Sequence, residues 1–182
     1  MFALGVGMTL SAMAVPSFLA GQDELRAANA ASYVAGRLQR ARMEAIVRSA
    51  TVAVQFTHDG AGYAFAVYVD GNGNGVLTRD IQHAVDARIG VSERLTEQFP
   101  GVEFGTITGL PPIDPGGTPP GSDPVRLGAG DLASFTASGT STSGTVYIRS
   151  RGGAQYAVRI FGDTGKLRRL KFDRGDRKWK PL

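Results

Sequence analysis

The stretch ARMEAIVRSATVAVQF, Ala41 to Phe56, changes its hydrophobic period midway. Ala41 and Ala45 continue a series begun by Val34 and Leu38 on one face of a helical repeat, while Arg37, Arg40, Glu44 and Arg48 fall on another. After Ser49 the period becomes two. TVAVQF, Thr51 to Phe56, is β-branched and aromatic, as strands prefer. A helix therefore hands over to a strand near Ser49, and the chain reads as α+β with its helix first.

Upstream, the amphipathic helix extends back over 22–49 through an alanine-rich run that favours helix intrinsically. Before it lies MFALGVGMTLSAMAVPSFLAG, with no ionisable side chain ahead of Asp23. Met1, Phe2, Leu4, Val6, Leu10, Val15, Pro16 and Phe18 mark it as an apolar helical segment close to the roughly 20 residues that cross a bilayer core. Pro16 predicts one long helix bent at that point, since proline removes a helical hydrogen bond. The expected division is 1–21, a hydrophobic membrane or filament-core segment, and 22–182, a head with helix 22–49 and a β-rich part 50–182.

Downstream, TVAVQF and YAFAVYV (Tyr63 to Val69) flank HDGAG and read as a hairpin. VEFGTI, Val102 to Ile107, suggests another strand. Six of the nine prolines lie between Pro111 and Pro124, which excludes strand interior there. GTVYIRSR, GGAQYAVRIFGDTG and KLRRLKF then give three strands with short turns, an antiparallel meander. Val146 and Ile148 share a face, as do Tyr156, Val158 and Ile160, so the helix is expected to cover one side of the sheet.

The chain of 182 residues has no cysteine and only two histidines, His58 and His83, which removes disulfides, thiolate metal sites and cysteine nucleophiles. Ser141 and Ser143 sit in FTASGTSTSGT, which lacks a strand-turn-helix elbow, so an enzyme is not expected. The net charge of +4 is unevenly placed: Lys166 to Lys180 holds eight Lys or Arg against two Asp, leaving the remainder slightly acidic. Lys166, Arg168, Arg169, Lys171 and Arg174 are candidate phosphate contacts for salt-sensitive nucleic-acid binding, with Trp179 as a stacking surface. A solvated basic sheet face is the structural alternative. In DGNGNGVLTRD, Asp70, Asn72, Asn74 and Asp80 follow the first part of a calcium-loop pattern, but Ile81 stands where a bidentate Glu would close it. The loop is read first as a tight Asn/Gly turn, with weak calcium binding as the alternative and no other cofactor.

With these elements in order, the chain resembles the FimT/GspH family of type IV pilin-like proteins, the minor pilins and pseudopilins. AVPSF (Ala14 to Phe18), ARMEAIVRSATVAVQF, YVDGNGNGVLTRD (Tyr68 to Asp80), and FTASGTSTSGTVYI followed by GDTGKLRRLKF carry the likeness. The resemblance implies a pilin-like fold, a long N-terminal helix, hydrophobic then amphipathic, packed on antiparallel sheet. It implies a minor pilin or pseudopilin that assembles or primes a type IV pilus or type II secretion pseudopilus. Its partners would be other pilins or pseudopilins and the inner-membrane assembly platform. Its place would be the inner membrane, single-pass, with a periplasmic head, before entry into the filament. Pilins carry a basic leader cleaved after glycine, then a methylated aromatic residue and a glutamate; the family pattern implies that this part precedes Met1. Some FimT-like pilins capture DNA for transformation through a C-terminal Gly-Arg-x-Arg motif, matched here by Gly165-Lys166-Leu167-Arg168, with lysine replacing the planar arginine fork. DNA uptake is thus the second function the resemblance suggests.

Overall fold

The computed structural model describes residues 2–128 and 130–182, with side chains described from residue 21 onward. Helix α1, Phe2–Arg48, is continuous in its backbone. It ends where Ser49 takes a positive φ of 52° and the Ala50 N–H reaches back to the Ala45 carbonyl at 3.2 Å, the left-handed stop that terminates many helices. The expected apolar contacts of Met1, Phe2, Leu4, Val6, Leu10, Val15, Pro16 and Phe18 lie outside the described residues and side chains, and the helical backbone runs unbroken through Pro16, where a bend is expected. Among the described residues no helix is long and apolar enough to cross a membrane.

The hairpin follows as the alternation required: β1, Val52–His58, pairs antiparallel with β2, Tyr63–Val69, in register from Val52 opposite Val69 to His58 opposite Tyr63. A short helix, α2, Thr78–Gln82, leads to β3, Ala87–Arg94, which pairs with β2. Another turn of helix, α3, Leu95–Gln98, precedes β4, Val102–Phe104. The chain continues through β5, Val125–Arg126; β6, Leu132–Phe135; β7, Gly144–Ser150; β8, Gln155–Phe161; β9, Lys166–Asp173; and β10, Lys178–Pro181. Among the described residues these make two antiparallel sheets, ordered β3-β2-β1-β6 and β10-β9-β8-β7-β4, with β5 also on β7.

The expected single sheet is therefore two, and α1 packs across both, touching β1 and β6 of one and β7, β8, β9 and β4 of the other. Ala27, Ala30, Ala31, Ala41 and Ala45 are buried along its inner face. Their small side chains let the helix lie close to the sheets. Val34 and Leu38 sit between them, in one core with Val52, Val54, Phe135, Val146, Ile148, Tyr156, Val158 and Ile160.

The other face of the six-stranded sheet has its own smaller core. Leu110, Tyr147, Ala157, Leu170 and Phe172 cluster there, joined by Ile107, Ile113 and Trp179. The proline-rich segment thus lies over the sheet. β4 and β5 lie along the same side of β7, β4 on Ile148–Ser150 and β5 on Thr145–Val146. They are an edge strand split by the excursion 106–123. Buried Gln155 holds the exit point: its Oε1 accepts the Ile107 N–H at 2.9 Å, and its Nε2 donates to the carbonyls of Gly105, Ile148 and Tyr156 at 3.2, 3.0 and 3.0 Å. This is why VEFGTI, read as a strand to Ile107, ends at Phe104.

Candidate functional site

Strand alternation divides the basic region between two faces. Leu167, Arg169 and Lys171 point to the helix side of β9, while Lys166, Arg168, Leu170 and Phe172 point away. Arg169 Nη1 donates to Ser32 Oγ at 2.5 Å. Lys171 pairs with Glu24, and that hydrogen bond pushes the ammonium pKa up. Arg174 Nη2 donates to the Gly153 carbonyl at 2.6 Å. Three of the five candidate cations therefore tie α1 and a β-turn to the sheet. The structure does not bring all five together.

Lys166 and Arg168 remain on the outward face. Arg168 stands opposite Arg159, an arrangement that like charges disfavour. Both guanidinium groups lie over the Phe161 ring, at 5.4 and 5.5 Å from its centroid, and Arg159 is neutralised by Asp114 at 2.8 Å. Trp179, expected as an accessible stacking surface, is instead part of the second core. Its Nε1 donates to the Pro111 carbonyl at 3.0 Å and its ring packs on Tyr147 and Phe172. Gly165, the glycine of the Gly-Lys-Leu-Arg stretch, has φ +60°, and a Cβ there would stand 2.5 Å from the Gly139 carbonyl oxygen and 2.7 Å from Arg42 Nε. Its requirement for glycine comes from the left-handed backbone and from packing against the Gly139 turn and Arg42 of α1.

In the DGNGNG loop, Asp70 Oδ1 accepts from the Asn72 and Gly73 N–H groups at 3.1 and 2.8 Å, and Oδ2 from Gly75 at 2.8 Å. Asp80 accepts from the side-chain amides of Asn74 and Asn72 at 3.0 and 3.4 Å, which hold its carboxyl below the usual range. The buried carboxylate of Asp86, unmarked in the sequence, accepts from Gly71 and Leu77 at 3.0 and 2.9 Å. The four candidate ligands are thus gathered in one loop, with the carboxylate oxygens engaged by the loop's own donors. No group of three or more His, Cys, Asp or Glu suited to a metal occurs among the described residues.

The outer side of α1 carries a different feature. Leu25, Met43, Ile46 and Val47 are exposed, Leu25 by 65% and Val47 by 77%. At 3.6 residues per turn Leu25, Met43 and Val47 fall within about 40° of one another, with Gly36 between them. On the inner side, polar clamps fix the helix. Asp23 accepts from Ser150 Oγ and from the Gly152 N–H, and Glu93 receives Arg37, Tyr33 and Gln98 together. Burial, then the bond to Glu93, pushes the Tyr33 hydroxyl pKa up. No local motif announces Asp23, Glu93 or Gln155, because the partners that tie them across the fold, Ser150 for Asp23, Tyr33 and Arg37 for Glu93, and Gly105 and Ile107 for Gln155, lie far along the chain.

A family model matches most of this helix-first chain. The model for type II transport protein GspH covers residues 30–165, three quarters of the chain. The chain belongs to the GspH family. The match runs from the middle of α1 through β8 and its following turn, and the basic residues from Lys166 onward lie beyond it. Neither the curated proteins nor the solved structures gave a match. GspH membership carries a structural pseudopilin role in type II secretion, in agreement with the pilin-like α+β architecture.

Proposed function

We propose that the protein is a minor pseudopilin or minor pilin that enters or primes a secretion pseudopilus or type IV pilus through α1. The exposed ridge of Leu25, Met43, Ile46 and Val47 carries this reading. It lies on the same continuous helix as the apolar run 2–19, and although exposed Asn29 and Arg40 interrupt the stripe between Leu25 and Met43, this outer face is free while the inner face is occupied by the head. Before assembly the apolar run sits in the inner membrane, with the head in the periplasm. Afterwards the rod packs on neighbouring subunits, where small residues such as Gly36 allow close approach.

A strain lacking the gene, complemented with the Leu25→Asp/Val47→Asp variant, tests this. The expected result is wild-type amounts of folded protein but loss of the filament-dependent process, secretion or pilus function. Full complementation would refute the role of the ridge.

DNA capture is the second reading, supported by the outward pair Lys166 and Arg168 beside Phe161. It predicts a gel shift that weakens steeply with salt and is lost in Lys166→Ala/Arg168→Ala. Loss of transformation in the deletion strain, with secretion intact, would favour it. For the DGNGNG loop the reading is a self-braced turn, since its carboxylates are engaged by its own amides; calorimetric heat with millimolar calcium would replace that with a weak cation site.

A further inference from the structure

Antiparallel pairing alternates the direction in which a strand's backbone groups point. On β4 the Gly101 carbonyl accepts from the Arg151 N–H at 2.8 Å, and the Gly105 N–H donates to Tyr147 at 3.1 Å. Glu103, between them, exchanges bonds with Arg149, so Val102 and Phe104 turn their backbone groups away from β7. The Val102 N–H is taken by the Phe99 carbonyl at 2.9 Å. The N–H and C=O of Phe104 thus face away from β7, and among the described residues no turn, loop or side-chain group bonds to them, although Phe104 is only 6% exposed. Its ring is fixed edge-on against Phe56, Phe65 and Tyr63, which holds the unpaired amide in place.

Phe104 lines a cleft of about 560 Å³ between the split edge strand and the tip of the β1–β2 hairpin, where His58 and Tyr63 form one wall. At Thr96, Glu103 and Arg149 the cleft continues into a second of about 640 Å³ along Val102 and Gly101. The remaining sheet edges are guarded. β10 carries Lys178, Lys180 and Pro181; β3 is broken by a bulge at Gly90–Ser92; and β6 is covered by 140–142, with the Thr142 N–H on the Ser134 carbonyl at 2.9 Å. The β4 edge is capped at Val102 by the α3 turn but open at Phe104, where it is faced by an elongated cleft.

We propose that this cleft receives an extended polypeptide segment of another subunit, which adds to the six-stranded sheet as a strand beside β4 and pairs with the N–H and C=O of Phe104. A donor and an acceptor on one residue, at strand spacing, are met by a peptide backbone, whereas a phosphate or other anion satisfies only the donor. The aromatic wall of Tyr63 and His58 takes an apolar side chain of the segment. Thr96, at the junction, decides whether the strand can run the full length. That the donor is a neighbouring subunit rests on the proposed filament role, whereas the strand pairing itself stands on the sheet edge alone.

The test uses the full chain in detergent micelles, ¹⁵N-labelled, with the peptide acetyl-Lys-Thr-Val-Thr-Val-Thr-Lys-amide as probe. A few added backbone bonds place binding in the millimolar range, so at about 5 mM peptide the Phe104 amide resonance shifts and its hydrogen exchange slows about tenfold. Thr96→Trp, which fills the junction, removes both effects, and Ser122→Trp at the other end does the same if the first variant is poorly folded. An unchanged Phe104 amide at that concentration overturns the proposal. So does a Phe104 amide already protected without peptide, or shifts confined to the His58 and Tyr63 rings, which would mark a side-chain pocket.

Discussion

Replacing Leu38 by alanine removes the side chain that fills the space between α1 and the two sheets. Leu38 is completely buried, with alanines before and after it on the inner face, so little nearby bulk can move in to fill the gap. The lost apolar transfer is about 2.4 kcal/mol for three methylene equivalents. A partly collapsed cavity raises the cost to about 3–4 kcal/mol, inside the range measured for buried leucines. At roughly 2–4 °C per kcal/mol for a chain of this size, the midpoint falls by about 6–16 °C. Val47→Ala, on the exposed ridge of the same helix, should change stability by less than about 0.5 kcal/mol. Thermal unfolding of the full chain in micelles, followed by circular dichroism, reads both. A Leu38→Ala midpoint within 2 °C of wild type, or an equal fall for Val47→Ala, would refute the assignment of inner and outer faces.

Gly165→Ala should cost about 1–3 kcal/mol, because alanine at φ +60° is strained and its Cβ meets the Gly139 carbonyl and Arg42; urea unfolding checks this, and a neutral result would remove the packing role. The sole tryptophan, Trp179, should emit at a blue-shifted wavelength, and Trp179→Ala should destabilise by about 2–3 kcal/mol with loss of order in 107–113; fluorescence typical of free tryptophan would contradict its place in the second core. Asp173 is held at about 2 by Lys180, then by the Asp176 and Gly175 amides. Because its folded value lies below that of the unfolded chain, its contribution is complete above about pH 4 and fades as pH falls toward 2. Carboxyl titration by NMR should show this, with Asp173→Asn flattening the acid response of the β9–β10 hairpin; an Asp173 midpoint near 4 would contradict the arrangement.

The parts legible in the sequence are those written in local period. Val34, Leu38, Ala41 and Ala45 announced the buried helix face, and the β1–β2 hairpin and β7–β8–β9 meander lie where alternation and short turns placed them. The division into two sheets was not legible, since β6 joins β1 from about 80 residues away and nothing local to LASF specifies that pairing. The proline-rich segment was read correctly as irregular, but its packing depends on Gln155, whose amide meets residues about 50 positions earlier. The basic region shows the same limit. Charge density was visible, but not the long-range partners Glu24 and Ser32 that turn Lys171 and Arg169 toward the helix.

The account rests on α1 having one face in the head and the other free for neighbouring subunits. The chain has no cysteine, so a single cysteine placed at either face reports without background. In cells assembling the filament, Val47→Cys paired with a cysteine on the helix of a neighbouring pilin-like subunit should form a disulfide that depends on a working assembly platform, whereas Ala27→Cys should not. Equal cross-linking at both positions, or none at Val47 in cells whose filament assembles, would contradict the account.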